Sequence, residues 1–172
     1  MINNSCSKHF SYKDIIECGE TWTKYRYIIS NNPTENDTYN SIKLLCMTLL
    51  DPIVDHFGKI NLTYGFSSMK LTKLIKGRIY PLTDQHSGHE KKKNGEYICN
   101  RLGQAVDFKI LGVDSRDVSN WIIKSELPFD RLYFYDSKKP IHLSVGPDNK
   151  RQSIKMISYN KKNLVPKVVK CF

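Results

Sequence analysis

A chain of 172 residues with 40% hydrophobic and 26% charged side chains has the balance of one globular domain, long enough for one core and too short for two. No apolar run approaches the ~20 residues of a membrane-spanning helix. Five widely spaced cysteines argue against a disulfide framework and suit a reducing compartment. The net charge of +10 is unevenly placed: from Lys138 to the end, nine Lys or Arg face one acid, Asp148, so that stretch carries eight of the ten charges. Such a surface suits nucleic acid, an anionic polymer such as cell wall, or an acidic protein; a solvated basic tail is the plainer reading. The start of the chain shows no basic region followed by an apolar stretch, so a cytoplasmic location is expected.

Residues 1–37 read as a polar, irregular leader packed on the domain, with a short helix through Tyr12–Cys18 and turn signals at Gly19 and Asn31-Asn32-Pro33. After Asp37, the residues Ile42, Leu45, Cys46, Leu49, Ile53 and Phe57 recur three or four apart, which predicts a long helix bent at Pro52 and ended by Gly58. Strands are expected at Lys59–Tyr64, Ala105–Ile110, Arg131–Tyr135, Pro140–Val145 and Ser153–Ser158. Helices are expected at Ser68–Ile75 and after a cap at Asp114 or Ser115, with Val118, Trp121 and Ile122 buried. Residues 81–102 read as loop. The order gives α+β: a single domain over 38–172 in which helices pack on a small antiparallel sheet, with a basic carboxy-terminal extension.

Five histidines are present, in different settings. His56 ends the long helix and reads as a packing or capping residue. His142 alternates with Ile141, Leu143 and Val145, so it points away from the apolar face. Asp107 stands among Ala105, Val106 and Phe108, where a carboxylate needs a cation or a full set of hydrogen bonds. His86, in Asp84-Gln85-His86, sits at a loop edge from which a ligand can be aimed inward. Cys46, among leucines, reads as a small core residue.

The order Gln85-His86, Gly103-Gln104-Ala105-Val106-Asp107, Phe129-Asp130-Arg131-Leu132 and Ile141-His142-Leu143-Ser144 resembles the M15 family of zinc D,D-peptidases. Members of that family read Ser-Gln-His, Gly-x-Ala-x-Asp, Phe-Asp-Gln-Leu and Ile-His-x-Ser. The stretch Asp136–Val145 is also similar to the Hedgehog signalling domain, which shares that fold, and the resemblance spans roughly residues 40–147. It implies one zinc ion held by His86, Asp107 and His142, with water in the fourth position. His89 is an alternative to His86, and Cys99 a weaker extra ligand. It also implies a carboxylate base. Lys139 occupies the position some peptidases use, three residues before the last histidine, whereas Asp136 matches the Hedgehog-like position six residues before it. Tyr133 and Tyr135 flank Asp136 as candidates to steady an oxyanion.

Two departures bear on activity. The usual seven-residue gap between first histidine and aspartate is 21 residues here, because residues 87–102 intervene. Tyr64-Gly65-Phe66-Ser67 replaces the family's Ser-Gly-Tyr-Arg, so Ser67 stands where an arginine grips the substrate's terminal carboxylate. That argues against a typical D-Ala-D-Ala carboxypeptidase; Arg78 or Lys76 is the candidate replacement. The expectation is therefore a zinc peptidase or amidohydrolase acting on a peptide-like amide, with peptidoglycan the family's substrate class and a phage holin one route of release. The alternative is a non-catalytic zinc-containing module docking on nucleic acid or an acidic partner, for example in phage defence or DNA modification.

Overall fold

The computed structural model describes residues 4–75, 80–160 and 163–172; Lys76, Arg78, Lys161 and Lys162 lie outside the described residues. The apolar stripe expected after Asp37 lines one continuous helical rod. Its parts are α3 (Asn36–Leu45), a π-helical turn (Cys46–Leu50) and α4 (Asp51–Phe57), with Ile42, Leu45, Cys46, Leu49 and Ile53 fully buried. The expected distortion falls just ahead of Pro52. Proline has no N–H to give and its ring crowds the carbonyl four residues back, so a widened turn, with the Asp51 N–H reaching Cys46 O, accommodates it. At the far end His56 stacks on Trp121 with ring centroids 4.4 Å apart.

The leader carries more order than its polar composition announces. Ser11 and Asp14 form a reciprocal capping box on α1 (Tyr12–Ile16), which buries Ile15 and Ile16 completely, and α2 (Glu20–Tyr25) is anchored by Trp22. The buried Asp51 carboxylate accepts hydrogen bonds from Ser7 Oγ (2.9 Å), Lys8 N (3.0 Å) and His9 N (3.2 Å), strapping the leader to the rod.

The strands are β1 (Ile60–Tyr64), β2 (Gln104–Ile110), β3 (Arg131–Phe134), β4 (Ile141–Val145), β5 (Gln152–Asn160) and β6 (Asn163–Val168). They form one six-stranded sheet in the order β1-β2-β4-β3-β5-β6. Adjacent strands are antiparallel except β3 and β5. That parallel pair makes the sheet mixed rather than wholly antiparallel. It arises because residues 146–151 carry the chain from β4 across β3 to its far side. The fold is α+β, as its order of elements implied.

Period-two alternation divides the sheet into two chemically different faces. Val106, Phe108, Leu132, Ile141, Leu143 and Val145 point into the core shared with α1, α3 and α6 (Ser115–Lys124). Asp107, His142, Ser144 and Tyr133 lie on the opposite face, over which residues 81–103 fold. The short helix α5 (Met69–Thr72), capped by Ser68, precedes that loop. Among the described residues no helix is long and apolar enough to cross a membrane.

Loop 87–102 is pinned by its own buried acid. Glu90, 5% exposed, accepts hydrogen bonds from Thr34 N, Thr34 Oγ1, Glu35 N and Thr38 Oγ1, so it caps α3 from a distant part of the chain. Glu90→Ala leaves these donors unanswered and is expected to lower unfolding stability by about 2–4 kcal/mol in denaturant titration. A loss under ~0.5 kcal/mol would show that water replaces the carboxylate.

Candidate metal centre

Strand register creates the site. Asp107 and His142 are direct partners across β2 and β4; Tyr64 on β1 faces Asp107, and Tyr133 on β3 faces His142. One row of polar and aromatic side chains therefore crosses four strands on a single face. His86 comes onto it from the loop, in the short 3₁₀ turn Gln85–Ser87, whose preceding residue Asp84 accepts the His86 N–H at 3.3 Å.

Three atoms converge there. His142 Nδ1 lies 2.8 Å from Asp107 Oδ1, His86 Nε2 lies 3.2 Å from the same oxygen, and the two ring nitrogens are 3.2 Å apart. Ligands about 2.0–2.1 Å from a tetrahedrally coordinated zinc ion stand roughly 3.3 Å from one another, so the triangle has nearly the size that coordination requires. His86 Nδ1–H donates to the Gly65 carbonyl at 2.8 Å, and because a carbonyl only accepts, this fixes the ring with its Nε2 lone pair toward the cluster in the neutral state. A proton on either imidazole serves at most two of the three contacts. A cation at the centre serves all three. Among the described residues His86, Asp107 and His142 are the His, Cys, Asp or Glu side chains grouped closely enough to hold a metal ion.

Electrostatics agree with that reading. Burial pushes the Asp107 carboxyl up, but the positive charge that a proton on His86 brings, and the contacts from His142 and His86, outweigh it and hold the group well below the usual carboxylate range; a cation in place of that proton would act in the same direction. Asp107 therefore stays ionised as a ligand must. The imidazoles are 4% and 9% exposed and the Asp107 side chain 28%, so approach from solvent is over the carboxylate. Nearby Cys18, pushed up to about 12 by burial and the Asp107 charge, is a neutral thiol.

Beneath the cluster a buried polar network fixes the ligand-bearing segments to each other. Gln85 Nε2 donates to Leu102 O (2.9 Å) and Asp130 Oδ2 (3.0 Å), and Ser144 Oγ donates to Gln85 Oε1 (3.0 Å). Asp130 also pairs with Arg131. Gln85, Asp130 and Ser144 lie within two residues of His86, Arg131 and His142 in the chain, and each braces a segment that carries a site residue. Two glycines permit the close packing: a Cβ on Gly65 would sit 2.1 Å from Ile15 O, and one on Gly103 2.0 Å from Val145 O.

No family model, no curated protein and no solved structure matches the chain. The site is read from its own geometry.

The remaining sequence candidates separate clearly. His89 does not join the cluster: its Nε2 accepts the Gly103 N–H at 3.1 Å, and burial lowers its pKa. Cys99 is buried outside the cluster. Asp136 is not brought in as the expected base; it is exposed, and its Oδ1 accepts the Lys138 N–H at 3.1 Å within the β3–β4 turn. Ser67 is no substrate contact either. Its side chain is fully buried against Thr72 at 2.8 Å, while its N–H donates to His86 O. Arg78 lies outside the described residues. Tyr133 and Tyr135 do reach the site, lining a cleft of about 260 Å³ together with Thr83, Asp84, Arg101 and His142. On the other side Asp107 opens onto a groove of about 840 Å³ bordered by Glu20, Lys24, Tyr64 and Lys109. Asp84 and Arg101 escaped the sequence reading. Asp84 was visible only as a neighbour of His86, and Arg101 only as the last residue before the Leu102-Gly103 turn.

Removing the brace should loosen the site without touching a ligand. Gln85→Ala is expected to weaken metal affinity about 10- to 100-fold in chelator competition, the usual scale for losing a group that orients a ligand. An unchanged affinity would show that the 3₁₀ turn holds His86 unaided.

Proposed function

We propose that the chain is a zinc-dependent hydrolase acting on a peptide-like amide, of the M15 type, with peptidoglycan peptides the substrate class that resemblance implies. The observation that carries this reading is the His86–Asp107–His142 triangle, with edges of 2.8–3.2 Å and an open side over Asp107. Two imidazoles and one carboxylate are a donor set that suits zinc, and three protein ligands leave a position for water. Zinc there supplies Lewis acidity, activating water and polarising a carbonyl.

The chain's own residues provide the rest. The Gly65 carbonyl holds the His86 tautomer, and Asp107 stays ionised. With Asp136 committed to its turn, Asp84 takes its place as the candidate proton acceptor. Asp84 is buried, lines the His142 cleft and is tied to the His86 backbone. Tyr135, which lines the His142 cleft beside Tyr133, is the candidate to offer its hydroxyl to a developing oxyanion. The groove on the Asp107 side gives an extended substrate room to lie across the sheet.

A second reading is favoured by the solvent-facing Asp136: a zinc-braced binding module whose basic β5–β6 hairpin, with Lys155 and Lys167, docks on nucleic acid or an acidic partner. One set of variants separates the two. Wild type and His89→Ala are expected to hold about one zinc per chain and to release amine from peptidoglycan fragments. His86→Ala, Asp107→Ala and His142→Ala lose the metal. Asp84→Asn keeps zinc but loses on the order of 10²-fold in turnover. Zinc retained by all three ligand variants contradicts the site; zinc bound normally with no hydrolysis selects the binding module.

A further inference from the structure

Among the described residues, the cleft beside His142 contains a cation without a carboxylate partner. Arg101 ends the 87–102 loop, and the backbone on both sides of it is tied down: Asn100 N–H donates to Leu82 O at 3.0 Å, and Leu102 O accepts Gln85 Nε2 at 2.9 Å. Leu102 and Gly103 follow at φ +55° and +80°, a turn held by the Gly103 N–H bond to His89. The half-buried guanidinium is thus delivered to the cleft from a fixed base. Its Nη1 donates to Tyr133 OH at 3.2 Å, and among the described residues it forms no ion pair with Asp or Glu. Asp84 is the acid on the same wall, and its Oδ1 accepts the His86 N–H.

This arrangement is a carboxylate receptor. A guanidinium presents five N–H donors in a planar fork that matches a carboxylate, and one contact to Tyr133 leaves several of them. The Tyr133 hydroxyl, accepting from Arg101, has its own hydrogen to donate. About 260 Å³ lies below the range of sites that take drug-sized ligands, so the cleft admits one small residue or end group, while the groove of about 840 Å³ beyond Asp107 has room for a longer segment.

We infer that Arg101 and Tyr133 bind a carboxylate of the substrate on the His142 side of the cluster, so that the preferred ligand is a peptide-like chain with an acidic group within about one residue of the reacting amide. The inference rests on the cluster being the reactive centre, but the carboxylate subsite itself is testable without turnover. The carboxylate has two sources, the chain's own terminus or an acidic side chain.

The test is a calorimetric titration of the full-length, chelator-treated protein with N-acetyl-Ala-Ala as the free acid and as the amide. A second pair sets N-acetyl-Ala-Glu-amide against its Gln counterpart. At least one acid should bind about 10-fold or more tighter than its neutral partner, the scale of a charge-assisted pair. The first pair reports a terminal carboxylate and the second a side chain. Arg101→Gln should abolish the preference and Tyr133→Phe reduce it, with zinc content unchanged in both. Tyr133→Phe removes a single oxygen, so it remains informative if Arg101→Gln unfolds. Equal binding of every acid and its neutral partner to wild type, or a preference that survives loss of Arg101, overturns the inference. If wild-type protein shows the preference but takes up no zinc when zinc is added back, the metal reading is overturned and this subsite stands.

Discussion

An ionised carboxylate on a sheet is tolerable only if something answers its charge, and the site is organised around that demand at Asp107. Strand pairing places His142 directly opposite, and the loop brings His86 over both, so two imidazoles face one carboxylate oxygen. The hydrogen bond to Gly65 commits one His86 nitrogen outward and turns the other toward the cluster. The same face carries the Gln85–Ser144–Asp130 network, whose members are nearly or fully buried. A partly satisfied network of that kind is worse than an apolar core, which makes these residues hard to exchange singly. Ligand geometry and core integrity are thereby coupled.

The two sides of the cluster are unequal. Toward β1 and α2 the Asp107 side opens into a long groove, whereas toward β3 the His142 side closes into a small cleft walled by Arg101 and two tyrosines. The cluster therefore meets different chemistry on its two sides. Among the basic carboxy-terminal residues, Arg151 spends its guanidinium on the Leu127 and Ile123 carbonyls, while Lys155 and Lys167 pair in register across β5 and β6.

Where the chain alternates or repeats cleanly, it announces its structure. The rod from Asn36 to Phe57, strands β1 to β5 and α6 all carry a period that one buried face imposes, and Asp107 and His142 were legible because each interrupts such a pattern at a polar-facing position. β6 was not, because Leu164-Val165-Pro166-Lys167 mixes proline and charge; an edge strand tolerates both, since one side of its ladder is unpaired. α2 hides behind a single buried residue, Trp22. Asp136 faces solvent, because nearness in sequence says nothing about direction: a turn aspartate closes on the Lys138 N–H. Arg101 and Glu90 could not be ranked from the loop's polar composition, since their roles depend on which distant donors the loop meets when it folds back.

The central claim is that His86, Asp107 and His142 together hold a metal ion in a four-coordinate site with one position open. X-ray absorption on the zinc-loaded protein tests it most directly, because it reads coordination number, ligand type and bond length at the ion. Four nitrogen or oxygen neighbours at about 2.0–2.1 Å are predicted, with the outer scattering of two imidazole rings and no sulfur. A sulfur neighbour near 2.3 Å, six-fold oxygen coordination, or the signal of a single ring would contradict it.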